Sequence, residues 1–379
     1  MRILITGGLG FIGRALCKQF LDEGGHELIL IDPLSEQVHG KDTDYSDITD
    51  LPNVTHIAAS ICDAGVLHDA MYGVDLVYHF AAETGTGQSM YQIERYFETN
   101  VQGTAILLDT IVNQKDRRPK ALMLASSRSI YGEGAYLLKS EVGQAEPKRH
   151  YPGTRSAVDM EAGQFGFEKE GQPLVPVATH EDDKLDPCSL YASSKLTQEQ
   201  MCKIACETVG VRFSGLRLQN VYGPGQSMRN PYTGIISIFT NILRQGGSID
   251  IFEDGEESRD FVFVEDVARA FRYAAKLDTE SPSIYNVGCG EATTVSELVE
   301  MLENELSAPK TAKISGRFRP GDIRHNWADI SRMKEHFGFV PEVPLTTGLS
   351  RTVQWALTQP VEEDRSAMAN AELNTIASN

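Results

Sequence analysis

The chain has 379 residues, of which 41% are apolar and 23% charged, and a formal net charge of -18; this is the composition of a globular protein long enough for two domains or for one large α/β unit with additions. So acidic a surface argues against nucleic acid and anionic membranes as partners, since both require basic protein faces. Six scattered cysteines without a CxxC pair suggest neither a zinc site nor a disulfide framework, and with no bilayer-length apolar run and no signal-peptide pattern in "MRILITGG" a cytoplasmic protein is expected.

The chain opens on a strand-like run, "RILITG", followed by "ITGGLGFIG" and an amphipathic helix over residues 11 to 23. Gly7, Gly10 and Gly13 fit a GxxGxxG loop, whose glycines allow a tight turn and a close backbone approach to a pyrophosphate at a helix N-terminus. The second strand, "ELILID", ends in Asp32. A carboxylate there accepts hydrogen bonds from a ribose diol and repels a 2′-phosphate, which favours NAD over NADP. "VTHIAASI" and "DLVYHFAA" supply two further strands, and residues 89 to 115 a long helix.

"KALMLASS" forms a fifth strand that places Ser127 at the carboxyl edge of the sheet. Residues 133 to 183 are charged, punctuated by Gly and Pro and weakly periodic, which is the texture of a long loop insertion. "SLYASSK" then opens a helix with Tyr191 and Lys195 one turn apart, so that a positive charge can lower a phenol's pKa and make it a usable proton acceptor. "VRFSGLRL" is the last strand of this series. Apolar strands alternating with helices predict a doubly wound parallel α/β sheet, the Rossmann arrangement.

After residue 220 turn-rich segments and mixed short elements predict a smaller mixed α/β substrate domain over 221–357, partly interleaved with a cofactor domain over 1–220. Residues 358–379 are polar and weakly patterned, a flexible tail. Ser127, Tyr191 and Lys195 together form a proton-transfer set beside the predicted cofactor site.

Taken in order, "TGGLGFIG", "HFAAETG", "NVQGT", "SSRSIYG", "YASSK", "NVYGPG", "RDFVFVEDVA", "YNVGCG" and "RPGD" resemble the extended short-chain dehydrogenase/reductases of the nucleotide-sugar epimerase and dehydratase family, from residue 1 to about 357. The resemblance implies that Phe11, Ile12, Ser60, Ile61, Ala81, Ala82 and Asn100 join the glycines, Asp32, Tyr191 and Lys195 around NAD. It implies further that Glu83, Ser129, Asn220, Arg259 and Arg319 meet the sugar nucleotide. The last three would hold its diphosphate, for which bidentate guanidinium groups are suited.

Two departures stand out. Where many relatives carry Gly-Asp before the adenine-wall residue, "AASICD" offers Ser60 ahead of Ile61. Where dehydratases carry Asp-Glu after the serine, this chain has Arg128 and Ser129, which disfavours 4,6-dehydration. The implied reaction is NAD-dependent inversion at C4 of a nucleotide-diphosphate sugar through a 4-keto intermediate. The stretches "AAETGTGQSMYQIERY" and "NPYTGIISIF", with the insertion, look like a subgroup acting on dTDP-L-rhamnose; UDP- and GDP-linked sugars stay open, as do a reductase of the same fold and a non-catalytic NAD-binding regulator. A homodimer formed through helices at roughly 89–115 and 190–209 is also implied.

Overall fold

The computed structural model describes residues 1 to 362 apart from 42, 116, 231, 233, 277–282 and 320. Seven strands form a central sheet: β1 (Arg2–Thr6), β2 (Glu27–Ile31), β3 (Val54–Ile57), β4 (Leu76–His79), β5 (Ala121–Ser127), β6 (Arg212–Leu218) and β7 (Ile284–Val287). Their spatial order is β3-β2-β1-β4-β5-β6-β7, every pairing parallel. Parallel strands need crossovers, and the crossovers place helices on both faces. Ile3, Leu4 and Ile5 of β1 are therefore fully buried although their side chains point in alternating directions.

One face of the sheet is covered by the helices Phe11–Glu23 and Val264–Ala274, which contribute Leu16, Phe20, Val267 and Phe271 to a common core. The other is covered by Ala64–Ala70, Gly103–Asn113 and Leu190–Val209, contributing Leu67, Leu107, Ile111, Cys202 and Cys206. The last two cysteines are reduced core residues, and burial pushes the Cys206 thiol up to about 12.

Two elements depart from expectation. The helix predicted over 89–115 is broken: Ile93–Phe97 is followed by a π-helical turn, Glu98–Gln102, before the regular Gly103–Asn113. The seventh strand lies in "YNVGCG", within the stretch assigned to the second domain, so the chain returns after residue 220 to complete the sheet. The insertion is also structured. Ala135–Leu138 pairs antiparallel with Gln172–Val177, which pairs with Glu168–Lys169.

Tyr222, Ile236, Phe261, Phe263, Leu298, Leu302, Leu349 and Val353 form a third core beyond the carboxyl ends of the strands. The final helix runs Leu345–Thr358, and just past it Glu362 is tied to Asn241 and Arg229. From residue 363 onward the expected tail lies outside the described residues.

Candidate active site

The order of strands reverses between β1 and β4, where one crossover leads left and the next right, and ligands of such sheets bind in the crevice at that point. A cleft of roughly 540 Å³ opens there. Its floor is the loop after β1, where Gly7 has φ +69° and a Cβ on it would stand 2.7 Å from the Ala81 nitrogen. A Cβ on Gly13 would lie 2.3 Å from the Gly7 carbonyl oxygen. Gly10 precedes the helix Phe11–Glu23 with no side chain capping the first amides, which leaves the positive end of the helix facing the cleft.

Asp32 closes this half of the cleft. Its carboxylate accepts hydrogen bonds from the Leu9 amide (3.2 Å) and the Leu34 amide (3.0 Å), and His39 Nε2 stands 3.2 Å away. Phe11, Ile12, Ser60, Ile61, Ala81, Ala82 and Glu83 line the same space. A glycine cradle at a helix N-terminus and an oriented acid at the end of β2 match the requirements of a pyrophosphate and a ribose diol, so the residues present fit NAD.

Ser127, Ser129, Tyr191 and Lys195 line the other half. Ser127 ends β5, and its hydroxyl accepts from the Ser129 amide (3.2 Å) and the Ser129 hydroxyl (2.9 Å). Tyr191 and Lys195 face the cleft because Ser189 caps the helix Leu190–Val209, its hydroxyl accepting from the Ala192 amide at 3.1 Å.

Burial raises the Tyr191 phenol above its ordinary pKa; a hydrogen bond with Ser127 and the charge of Arg128 work against that rise. Lys195 is not among the groups that shift the phenol. The Lys195 ammonium donates to the Ala125 carbonyl at 2.8 Å, and burial brings its pKa down to about 8.

Beyond Tyr191 the cleft reaches Asn220 and Arg259. Among the described residues Arg259 donates to backbone carbonyls, those of Ser258 (2.8 Å) and Arg324 (2.9 Å). The adjacent Asp260 carboxylate is buried and occupied by the amides of Cys289, Gly290 and Ala328, so it does not pair with Arg259.

Two expected residues do not reach the cleft. Asn100 sits in the π-helical turn, fully buried; it accepts from the Glu83 amide at 2.8 Å and donates to the Glu83 carbonyl at 3.1 Å and to Ser194 Oγ at 2.9 Å. The wide turn points this amide into the protein, where it ties the loop after β4 to the helix Leu190–Val209, and the neighbouring Thr99 lines the cleft instead. Arg319 is half-exposed, 4.0 Å from Asp322 and stacked over Phe252, while Gly321, Asp322 and Ile323 of the same loop line the cleft. Conversely His39 and Arg128 belong to the site. A histidine shortly after the Asp32 strand and an arginine next to Ser127 were the available signals.

A doubly wound sheet with a glycine cradle, an acid at the end of β2 and a Ser, Tyr and Lys set in one cleft defines a dinucleotide-dependent enzyme of the short-chain dehydrogenase/reductase type. The chain matches the NAD dependent epimerase/dehydratase family over residues 3–288, and it belongs to that family. It is 34% identical over 357 residues to the dTDP-L-rhamnose 4-epimerase of Burkholderia thailandensis, covering 93% of this chain and 94% of that protein. Among solved structures it is similar to the UDP-glucose 4-epimerase of Thermotoga maritima with UDP-glucose (TM-score 0.74, 26% identity, 94% and 98% of the two chains). The UDP-N-acetylglucosamine 4-epimerase of Methanobrevibacter ruminantium gives the same TM-score, 0.74, at 27% identity over 95% and 99%.

Proposed function

We propose that this protein is an NAD-dependent 4-epimerase of a nucleotide-diphosphate sugar, with a dTDP- or UDP-linked hexose as substrate. The observation that carries this reading is the presence in one cleft of the Ser127, Tyr191 and Lys195 set and a cationic end at Asn220 and Arg259, with no carboxylate pair after Ser127. NAD, when bound, supplies the oxidation of C4 and its reversal.

In this reading Gly7, Gly10 and Gly13 cradle the pyrophosphate of the cofactor and Asp32 takes its ribose diol. Tyr191 accepts the proton of the sugar O4 and later returns it; Ser127, which bonds the phenol, steadies the same oxygen. Lys195, held by the Ala125 carbonyl, orients the nicotinamide ribose. Asn220 and Arg259 anchor the diphosphate while the 4-keto hexose turns over. Dehydration is disfavoured because Arg128 and Ser129 stand where an acid and a base are needed, and Glu83, a carboxylate of the cleft lining, is bound to Arg95 at 2.8 Å.

The domain assignment, cofactor binding by 1–220 and substrate binding by 221–357, belongs to the same proposal. So do a cytoplasmic location and a homodimer formed through the helices at Ile93–Phe97 and Leu190–Val209, supported by the exposed side chains of Ile93 and Ile204. No helix of the described residues is long and apolar enough to cross a membrane.

The test is incubation of the NAD-loaded protein with dTDP-, UDP- and GDP-sugars, with products resolved by NMR. Equilibration of two C4 epimers without net consumption of NADH is the expected result. Stoichiometric oxidation of added NADH or NADPH would indicate a reductase, and loss of water at C5 and C6 a dehydratase; either overturns the reading.

A further inference from the structure

Arg128 is the residue of the cleft that the epimerase reading leaves without a task. It follows Ser127 directly, lines the cleft, and bonds Asn220 at the cationic end. Its Nε donates to Asn220 Oδ1 at 2.8 Å, which fixes the guanidinium plane and leaves the Asn220 amide NH2 as the donor directed elsewhere. Its Nη1 is buried with no hydrogen-bond partner among the described residues. No carboxylate lies within ion-pair distance of Arg128 or of Arg259 among those residues: Asp260 is taken by three backbone amides, and Asp322 stands beside Arg319.

A guanidinium edge buried without a hydrogen-bond partner is costly, and a second cation beside it adds to the cost. Burial and the like charge of Arg259 push Arg128 down to about 9, against the raising influence of Asp322 and Asp260, so it is still protonated at neutral pH. An anion entering beside the unpaired edge stabilises such a group. The cleft therefore holds a partly assembled site for a doubly negative group: the free edge of Arg128, the outward side of Arg259 and the amide of Asn220.

We propose that Arg128 is a third ligand of the substrate diphosphate, its guanidinium held by Asn220 in the cleft that Tyr191 also lines. The side chain thus belongs both to the anchoring end and to the surroundings of the phenol, whose ionised form its charge favours.

The inference rests on the epimerase reading, and titrating the NAD-loaded protein with dTDP and with UDP, which carry the diphosphate but no sugar, separates the two. If the unmodified protein binds neither, the epimerase reading falls and this inference with it. If it binds one, Arg128→Met is expected to weaken that binding by about 10- to 100-fold, the value of a charge-assisted hydrogen-bond pair, with NAD affinity unchanged. The acid limb of the turnover profile is expected to move to higher pH in the same variant, because the phenol loses a nearby positive charge; a merely structural role would not move it. Arg128→Gln, which keeps a polar head group, is the second variant should Arg128→Met fail to fold, and the same loss is expected. Wild-type affinity for the nucleoside diphosphate in either folded variant overturns the proposal while leaving the epimerase reading in place.

Discussion

At Tyr191 the competing influences can be weighed. Burial disfavours the phenolate, while Ser127 and Arg128 favour it, and burial prevails. A phenol that must accept a proton near neutral pH therefore depends on what enters the cleft beside it. Replacing Tyr191 with Phe removes the proton acceptor and little else, since the ring keeps its edge-on contact with Tyr96. Turnover is expected to fall by about 10²- to 10⁴-fold, the usual worth of a positioned acid or base, with NAD binding and melting temperature close to wild type. Near-wild-type turnover in a kinetic assay of the Phe variant would remove Tyr191 from the proton-transfer role.

At the scale of elements, six strands of the central sheet could be read from the sequence because each is an uninterrupted apolar run between turn residues. β7 could not, since its four residues, Ile284–Val287, sit in a Gly- and Asn-rich stretch and gain their burial only by pairing with β6. The insertion escaped for a related reason: its strands pair with one another, and Gln172–Val177 is interrupted by Pro173 and Pro176, so they lack the clean alternation of an exposed sheet. Ser127, Tyr191 and Lys195 were legible because the end of a strand and the first turn of a capped helix dictate where a side chain points. The direction of the Asn100 side chain was not legible, because a π-helical turn rotates it by an amount no spacing rule supplies. The structure gives Asn100 a holding role, with three hydrogen bonds between the Glu83 backbone and Ser194. Asn100→Ala is expected to lower stability by about 1–3 kcal/mol, the cost of leaving buried backbone groups unpaired, and to loosen the loop that carries Glu83. Thermal unfolding would report the first effect, and hydrogen exchange at residues 82 to 84 the second.

At the scale of the whole molecule, the insertion acts as a bracket rather than a lid. Its Arg155 reaches the buried Glu133 and Glu253 and donates to the Asp322 carbonyl, while the Arg324 amide donates to Glu133 at 2.8 Å. The segment of the third core that carries Glu253, the insertion and the cleft-lining loop at Asp322 are thus joined through one buried ionic cluster. Burial raises Glu133 from 4.5 to about 7, against the lowering influence of the Arg324 amide, Arg155 and Arg259; the nearby carboxylate Glu253 adds to the rise. Burial also raises Glu257 to about 7 and Asp260 to about 6. A carboxyl group raised on folding binds its proton more tightly in the folded state, so its stabilising contribution is complete below the unfolded value and is lost as pH rises through about 7. From pH 5 to pH 8 the three carboxyls therefore work against the folded state, while the buried His79 and His325, each pushed down to about 3, work for it as the unfolded imidazoles lose their protons; the melting temperature is expected to decline over this range by the excess of the first effect over the second. Glu133→Gln keeps an acceptor for the Arg324 amide but cannot ionise, so it should flatten that decline by about 2–3 kcal/mol, the linkage value of a carboxyl raised from 4.5 to about 7. Melting curves of both proteins across this range decide the matter: parallel declines would mean that Glu133 is already ionised in the folded state and that the cluster is held by its arginines alone.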